Sequence, residues 1–275
     1  MRQFVLPEDW DGSPELTLGG RDAHRLVRVL RLGPGDRFPA LDAAGLAYFC
    51  EIRSVETGTV LIAIDRAAAE DASERELPDL RGGKDSGHFA AKGRVGRLPR
   101  ITLAMAMLKG EKFDLVIRQA AEAGVTRIIP LATTRSLGAS AGEARRERQR
   151  RILREALQQS GSPLPTSVEE MADLRALPER LGLAQGRRVA LLLHETPLVE
   201  ASLHEYLCPR PDEVVVCVGP EGGFTPEEVN FLLAAGFLPL HLPGAVLRAE
   251  TAALFSVAAV EIVVSEQDSW IRAQD

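Results

Sequence analysis

The chain has 275 residues, which is enough for two domains that each bury a core. Its formal charge of -6 excludes a protein that binds nucleic acid over a wholly basic surface, although local basic faces stay possible. The apolar stretch 252–264 is too short to cross a membrane, and the N-terminus lacks the basic-then-apolar order of a signal peptide. We therefore expect a cytoplasmic protein with no membrane partner.

Residues 1–66 are predicted to form a small β-rich domain. One helix is expected over 21–32, and the strands that follow are expected at 37–42, 46–55 and 59–65. From 67 to 100 the sequence loses periodicity and is rich in charge, glycine and proline. We interpret this segment as a linker or insertion.

Strands and helices alternate over residues 101–275. This pattern predicts an α/β domain with a mostly parallel, helix-covered sheet. The last helix is apolar nearly all round, so it is expected to be buried within the domain or against a second subunit. The expected strands are 101–107, 127–131, 188–193, 213–218 and 237–242, and the expected helices are 112–123, 142–159 and 249 to about 264.

The stretch "VGPEGGFTPEEV", residues 218–229, joins an apolar strand to a helix through a glycine loop. Thr225 and Glu228 have the spacing of a capping box, so the helix is expected to begin there. Loops at the carboxyl ends of parallel strands commonly bind ligands. The loop lacks the Lys-Ser or Lys-Thr pair of a P-loop and the G-x-G-x-x-G dinucleotide pattern, which excludes those two ligand classes. A tight turn without a ligand is the alternative.

A second glycine-containing stretch, "HLPGAVLRAETAALF" at 241–255, repeats this arrangement. Its loop is expected to lie beside the first one if the two preceding strands are neighbours. Arg248 and Glu250 would then stand at the rim of the loop, close to a helix N-terminus. The alternative is that Arg248 is only solvated and that Glu250 only offsets the helix dipole.

A basic group lies in the N-terminal domain. On one helix, Arg21, Arg25 and Arg28 share a side at intervals of three and four, which suits contact with phosphates. The helix around 145–154 is denser in arginine, but its glutamates fit an ordinary solvated face equally well. The basic residues of the predicted helix 21–32 are Arg21, His24, Arg25, Arg28 and Arg31.

Cysteine and histidine spacing indicates neither a disulfide framework nor a metal site. The three cysteines are far apart and are interpreted as small core residues. The five histidines lack the spacing of metal ligands, so no metal is expected.

Taken together, several motifs closely resemble one family, the RsmE 16S ribosomal RNA uridine N3-methyltransferases of the SPOUT superfamily. They are "GPEGGFTPEEV", "LRAETAAL", "KGEKFDLVIRQAAEAGVTRIIPL", "TTRS" and "REALQQSG". At the N-terminus, "RQF" and "HRLVRVLRLGPGD" are similar to that family's PUA-like RNA-binding domain. The resemblance covers most of the chain except 67–100.

The resemblance implies a fold and a cofactor. The fold would be a SPOUT-type parallel sheet with a deep trefoil knot, one of the rare exceptions to unknotted chains. S-adenosylmethionine would lie bent in a pocket at the knot, where glycines let the main chain approach the nucleoside. The residues expected to bind the cofactor are Leu193, Val218, Gly219, Pro220, Glu221, Gly222, Gly223, Leu242, Pro243, Leu247, Thr251 and Ala252.

The resemblance also implies a reaction, methylation of uridine N3 at position 1498 of 16S ribosomal RNA in the small subunit. Arg248 is the expected partner of the uracil oxyanion, Arg135 is the second candidate, and Glu250 is expected to position one of them. A homodimer is expected, and the N-terminal arginines are expected to contact RNA. Two departures from the family pattern are "SPLPTS", where relatives often carry a basic residue, and Ala249, where threonine is common.

Two alternatives remain open at this point. One alternative is a SPOUT methyltransferase that acts on another RNA. The other is a catalytically silent RNA-binding assembly factor. Intact glycine loops together with Arg248 and Glu250 argue against the silent factor.

Overall fold

A computed structural model describes residues 4–65, 99–136, 142–162, 164–182, 187–198 and 201–272, with side chains up to 267. Most of the predicted linker therefore lies outside the described residues, whereas Arg100 already belongs to a strand. The described chain divides into two units. The N-terminal unit holds 4–65 together with 157–162 and 164–165, and the C-terminal unit holds the rest.

The N-terminal unit contains a five-stranded sheet in the order β1-β3-β4-β5-β2. The three predicted strands are confirmed, but β1 and β2 were missed, because β1 has two residues and β2 buries only Leu18. The core of the unit includes Phe4, Phe38 and Ile52, all fully buried. The strands are β1 Phe4–Val5, β2 Glu15–Gly19, β3 Arg37–Leu41, β4 Ala47–Glu56 and β5 Thr59–Asp65.

The single helix predicted over 21–32 is wrong in form and extent. An α-helical turn, α1 (Gly20–His24), continues into a π-helical turn over Arg25–Val29. In that turn Leu30 N–H donates to Arg25 C=O at 3.0 Å, a bond that spans five residues instead of four. Arg31, at φ 58°, ends the segment. The wider turn changes the angular spacing of the side chains, so the arginines do not form the regular α-helical stripe that was predicted.

The C-terminal unit is a parallel α/β sheet, as predicted. Seven described strands run in the order β12-β10-β11-β6-β7-β8, with β9 also paired to β7, and every pair is parallel. The strands are β6 Arg100–Ala106, β7 Arg127–Ala132, β8 Ser167–Val168, β9 Ala172–Asp173, β10 Arg188–Leu193, β11 Glu213–Val218 and β12 Leu238–Leu240. The helices are α2 Lys112–Glu122, α3 Glu143–Ser160, α4 Leu177–Leu181 (after a 3₁₀ turn, Leu174–Ala176), α5 Leu203–Tyr206, α6 Pro226–Ala234 and α7 Ala249–Arg272.

Helix α2 shows how the sequence sets the packing of this unit. Its apolar residues recur at intervals of three and four, which places them on one stripe of the helix. The residues of this stripe are buried, whereas Leu115, which lies outside it, is 40% exposed, and Gly124 at φ 83° follows the helix end. The buried stripe consists of Phe113, Val116, Ile117, Ala120 and Ala121.

The strand order corrects one expectation about the loops. Strands β11 and β12 are not neighbours, because β10 lies between them and pairs with both. All three strands are parallel, so their carboxyl ends share one edge of the sheet. The loops after β10, β11 and β12 therefore still meet.

Helix α7 extends to Arg272, beyond the predicted end near Val264. One face, with Ala253, Val257 and Val260, is buried in the core of the unit. The opposite face is exposed, with Phe255 at 57% and Ile262 at 56%. Burial of the whole helix within the domain is thus wrong, and a second subunit remains the candidate cover.

The three cysteines do not all lie in the core. Cys50 and Cys217 are buried, but Cys208 is exposed in the loop after α5, so its assignment to the core is wrong.

Among the described residues no helix is long and apolar enough to span a membrane. In the same part of the chain no group of three or more His, Cys, Asp or Glu is placed to hold a metal ion.

Candidate active site

The loop after β11 is held by its own main chain and by the start of α6. Gly223 N–H donates to Pro220 C=O at 2.9 Å, and Gly223 takes φ 68°, a region that side chains disfavour. A Cβ on Gly219 would stand 3.2 Å from Phe224 N, so only glycine fits there without a shift of the backbone. The loop is therefore a tightly packed turn.

The predicted capping box is present and also fastens a second segment. Thr225 Oγ1 accepts from Glu228 N–H at 3.3 Å, and Thr225 N–H donates to Glu228 Oε2 at 2.8 Å. The other oxygen of Glu228 accepts from Thr134 N–H at 2.7 Å. Glu228 thus ties the "TTRS" segment to the glycine loop. Arg135 strengthens this tie by donating to Gly222 C=O at 2.6 Å.

A cavity of about 370 Å³ opens where the loops after β10, β11 and β12 meet. Twelve predicted site residues line it, so the sequence located most of this pocket. They are Arg135, Leu193, Val218, Gly219, Pro220, Glu221, Gly222, Gly223, Leu242, Leu247, Arg248 and Ala252.

Three predicted site residues do not line the cavity: Pro243, Glu250 and Thr251. Helical geometry explains the last two. Ala249 and Ala252 are three residues apart on α7 and share the face that lines the cavity, so the residues between them lie on other faces. Pro243 is exposed.

Sequence reasoning missed several residues of the lining. His194 and Glu195 directly follow β10, and His241 follows β12. His241 Nδ1 lies 3.3 Å from His194 C=O, which joins these two loops. For His194 and Glu195 the available signal was their position just beyond the predicted strand 188–193, whereas His241 lay inside the predicted strand 237–242, which ends earlier, at Leu240. Phe224 was missed as well, whereas Gly244, Ala245, Val246 and Ala249 lie within the segment 242–252 that was expected to line the pocket.

Arg248 stands at the cavity rim as expected, whereas Glu250 differs from expectation. Arg248 is exposed at the rim, and its guanidinium makes no hydrogen bond or ion pair within the described part of the chain. Glu250 does not position Arg248 or Arg135. Its Oε2 lies 4.0 Å from Lys112 Nζ instead, so the predicted pairing with an arginine is wrong.

Glu221 is the carboxylate of the glycine loop, and it is held from α2. Lys112 Nζ lies 3.1 Å from Glu221 Oε1, and Lys109 N–H donates to the same oxygen at 3.3 Å. Burial raises the pKa of Glu221, but hydrogen bonds from its own main chain, from Lys112 and from Lys109 outweigh burial. The pKa therefore lies below the ordinary value, and the carboxylate is charged near neutral pH.

The basic residues of the N-terminal unit form a separate candidate site. Arg21, His24, Arg28 and Arg31 are exposed. Arg25 is half-buried, and its guanidinium donates to Gln158, which belongs to the same unit. Arg25 is thus engaged within the protein, whereas the exposed residues are accessible to a polyanion.

Comparison with known proteins defines the class of this chain. The model of an RNA methyltransferase domain matches residues 96–261, more than half of the chain, and the model of an RNA methyltransferase PUA domain matches 18–65. The chain is thus an RNA methyltransferase with a PUA domain and a SPOUT-type α/β fold.

Individual relatives identify the family. The chain is 31% identical to ribosomal RNA small subunit methyltransferase E of Synechocystis, over 90% of this chain and 73% of the relative. A methyltransferase of Legionella pneumophila with bound SAM is 25% identical, with a TM-score of 0.70 and coverage of 94% and 96%. The Neisseria gonorrhoeae methyltransferase E bound to S-adenosyl methionine has a TM-score of 0.71 at 24% identity, with coverage of 96% and 98%. The chain belongs to the ribosomal RNA small subunit methyltransferase E family, RsmE.

Proposed function

We propose that this protein binds S-adenosylmethionine in the cavity between the loops after β10, β11 and β12 and methylates N3 of a uridine in 16S ribosomal RNA. The observation that carries the proposal is the cavity itself, in a chain of the RsmE family. The cavity lies at the carboxyl edge of a parallel sheet, the usual place for a ligand in such folds.

The residues of the cavity suit this cofactor. At Gly219 a Cβ would stand only 3.2 Å from main chain, and Gly223 has a positive φ, so bare backbone forms this wall and its N–H and C=O groups can approach an adenine closely. The described lining has no lysine and does not form a P-loop, in keeping with a nucleoside that carries no phosphate. When bound, S-adenosylmethionine supplies a methyl group already activated by its sulfonium.

The chain must then align the acceptor nitrogen and stabilise the charge that develops on the uracil. Loss of the N3 proton leaves negative charge on the flanking carbonyl oxygens. Arg248 stands at the cavity rim with no intramolecular partner in the described residues, so its guanidinium is available to those oxygens. Arg135 is committed to Gly222 C=O, which favours Arg248 for this role.

Methyl transfer to defined RNAs tests the activity. Purified protein with labelled S-adenosylmethionine is expected to methylate unmodified small-subunit particles, and digestion with mass spectrometry is expected to give N3-methyluridine at position 1498. Naked 16S RNA and transfer RNA serve as comparison substrates. Transfer to transfer RNA instead supports the alternative SPOUT substrate, and cofactor binding without transfer to any RNA supports the assembly factor.

The N-terminal unit is proposed to dock RNA through Arg21, His24, Arg28 and Arg31. With Arg21→Ala and Arg28→Ala combined, particle binding is expected to weaken and its log–log salt slope to fall by roughly one for each lost phosphate contact. Arg53→Ala is a matched control, because Arg53 lies in the same unit and is paired with Glu51 at 2.6 Å. An unchanged salt slope in the double variant would remove these residues from the interface.

A homodimer and the deep knot belong to the same proposal. The exposed apolar face of α7, with Phe255 and Ile262, is the candidate dimer surface. The protein is expected to sediment as a dimer at micromolar concentration, and Phe255→Glu is expected to give monomers. A monomeric native protein would refute the dimer. A crystal structure in which the C-terminal segment does not pass through a loop of the chain would refute the knot.

A further inference from the structure

Lys112, the first residue of α2, contacts carboxylates from two different walls of the cavity without lining it. Its Nζ lies 3.1 Å from Glu221 Oε1 and 4.0 Å from Glu250 Oε2. Glu221 belongs to the loop after β11 and lines the cavity. Glu250 belongs to the first turn of α7, beside Ala249, which also lines it. The ammonium group of Lys112 therefore lies within 4.0 Å of one carboxylate from each wall, although Lys112 itself does not line the cavity.

The contact with Glu250 is close but incomplete. Glu250 Oε2 is buried and has no hydrogen-bond partner within the described residues, and the side chain is only 12% exposed. A buried carboxylate oxygen without a donor is unfavourable, so a cation nearby is needed to stabilise it. At 4.0 Å, Lys112 supplies charge but not a hydrogen bond, which requires roughly 2.7–3.2 Å.

The contact with Glu221 anchors the other wall. Lys112 and Lys109 N–H both bind the same oxygen of Glu221, so the glycine loop is fastened to the N-terminal end of α2. The spacing between the loop and α7 thus depends on a side chain that is outside the cavity.

We propose that Lys112 is a positioning residue that sets the distance between the glycine loop and the first turn of α7, and thereby the affinity for the cofactor. This inference rests on the proposed function, in which the cavity takes S-adenosylmethionine. Lys112 acts through Glu221 and Glu250 and does not touch the reacting atoms.

The test measures cofactor binding by calorimetry with S-adenosylmethionine, in the full chain without RNA. Lys112→Met keeps much of the side-chain length but removes the charge, and it is expected to weaken binding roughly tenfold, the size of a contact-pair coupling. Glu250→Gln is expected to weaken binding as well, although Glu250 does not line the cavity. The double variant is expected to bind about as weakly as Lys112→Met alone, because both changes break the same link.

A second readout needs no cofactor. Main-chain amide exchange in 219–223 is expected to accelerate in Lys112→Met, while exchange in the strands of the sheet stays unchanged. Arg148→Met is the matched control, because Arg148 pairs with Glu111 and Asp114 in the same unit and does not line the cavity. Lys112→Arg, which keeps the charge, is expected to restore most of the affinity.

The outcomes separate this inference from the proposed function. If the unchanged protein does not bind S-adenosylmethionine, the proposed function fails. If it binds and Lys112→Met binds equally well, or if Lys112→Met and Glu250→Gln are additive, the positioning role is overturned. Should Lys112→Met fail to fold, Glu250→Gln with Lys112→Arg decides the matter: full affinity in Glu250→Gln overturns the role.

Discussion

The two loops that form most of the cavity differ in how they are held. The loop after β11, 219–224, is fixed from several sides: by the turn bond at Pro220, by Arg135 and by Lys112. The segment after β12, 241–248, is open, with 243–246 all exposed and Val246 at 78%. The wall formed by 219–224 is therefore held by contacts within the protein, whereas the wall formed by 241–248 is exposed to solvent.

The packed wall and the open wall therefore suit different ligands. A packed wall holds a fixed shape, which suits recognition of an invariant cofactor, because little ordering is then required on binding. An open segment leaves its side chains accessible to a large substrate. Arg248, which ends the open segment, is therefore better placed to meet RNA than Arg135, which is bound to the packed wall.

The largest expected contrast is in stability. Phe224→Ala removes a side chain that is only 7% exposed in the packed wall and is expected to cost about 3–5 kcal/mol. Val246→Ala in the open wall is expected to change stability by less than about 0.5 kcal/mol. Urea unfolding of both variants measures this, and equal losses would show that the two walls are equally packed.

Arg248→Ala tests the chemistry assigned to the open wall. Single-turnover methyl transfer at saturating RNA is expected to slow by about 10²-fold, the order found on removing one oxyanion donor. The affinity for S-adenosylmethionine is expected to change little. Arg146→Ala, a surface arginine paired with Glu143 on α3, is the control. If Arg248→Ala lowered only RNA affinity, Arg248 would be a docking residue.

Within the packed wall, two glycines are expected to differ. A Cβ on Gly219 meets Phe224 N at 3.2 Å, so Gly219→Ala is expected to cost about 1–3 kcal/mol and to weaken cofactor binding. A Cβ on Gly222 meets Arg135 Cδ at an ordinary 3.5 Å, so Gly222→Ala is expected to be nearly neutral in stability. Melting and calorimetry on both variants check this. A neutral Gly219→Ala would contradict the close packing.

The smallest expected effect is a pH dependence of the packed wall. The pKa of Glu221 is lowered in the folded protein, so its stabilisation is present above the ordinary value of 4.5 and is lost as the pH falls through the lower folded value. The advantage of the unchanged protein over Glu221→Gln is expected to stay below about 1 kcal/mol near neutral pH and to vanish in acid. Urea unfolding at pH 7 and below 4.5 measures it, and an advantage that grows in acid would contradict the assignment.

Local patterns carried much of the prediction. The stripe of α2, the uninterrupted apolar run of β11 and the capping box at Thr225 each depend on residues near one another in sequence, and each is confirmed. The π-helical turn at Arg25 was missed because the intervals of three and four between Arg21, Arg25 and Arg28 are those of an α-helix, and π-helical turns are rare. The exposure of Cys208 was missed because composition alone does not reveal which loop packs.

By itself the sequence determined that glycine loops follow β-strands, that such loops suit a ligand other than a P-loop nucleotide or a dinucleotide, and that the motifs resemble one methyltransferase family. Only the tertiary structure decided which residues share the cavity. It placed β10 between β11 and β12, brought His194 and His241 together, and turned Glu250 away toward Lys112. The physical reason is that strand order and helix rotation are fixed by packing between segments far apart in the chain, and spacing along one segment does not encode either.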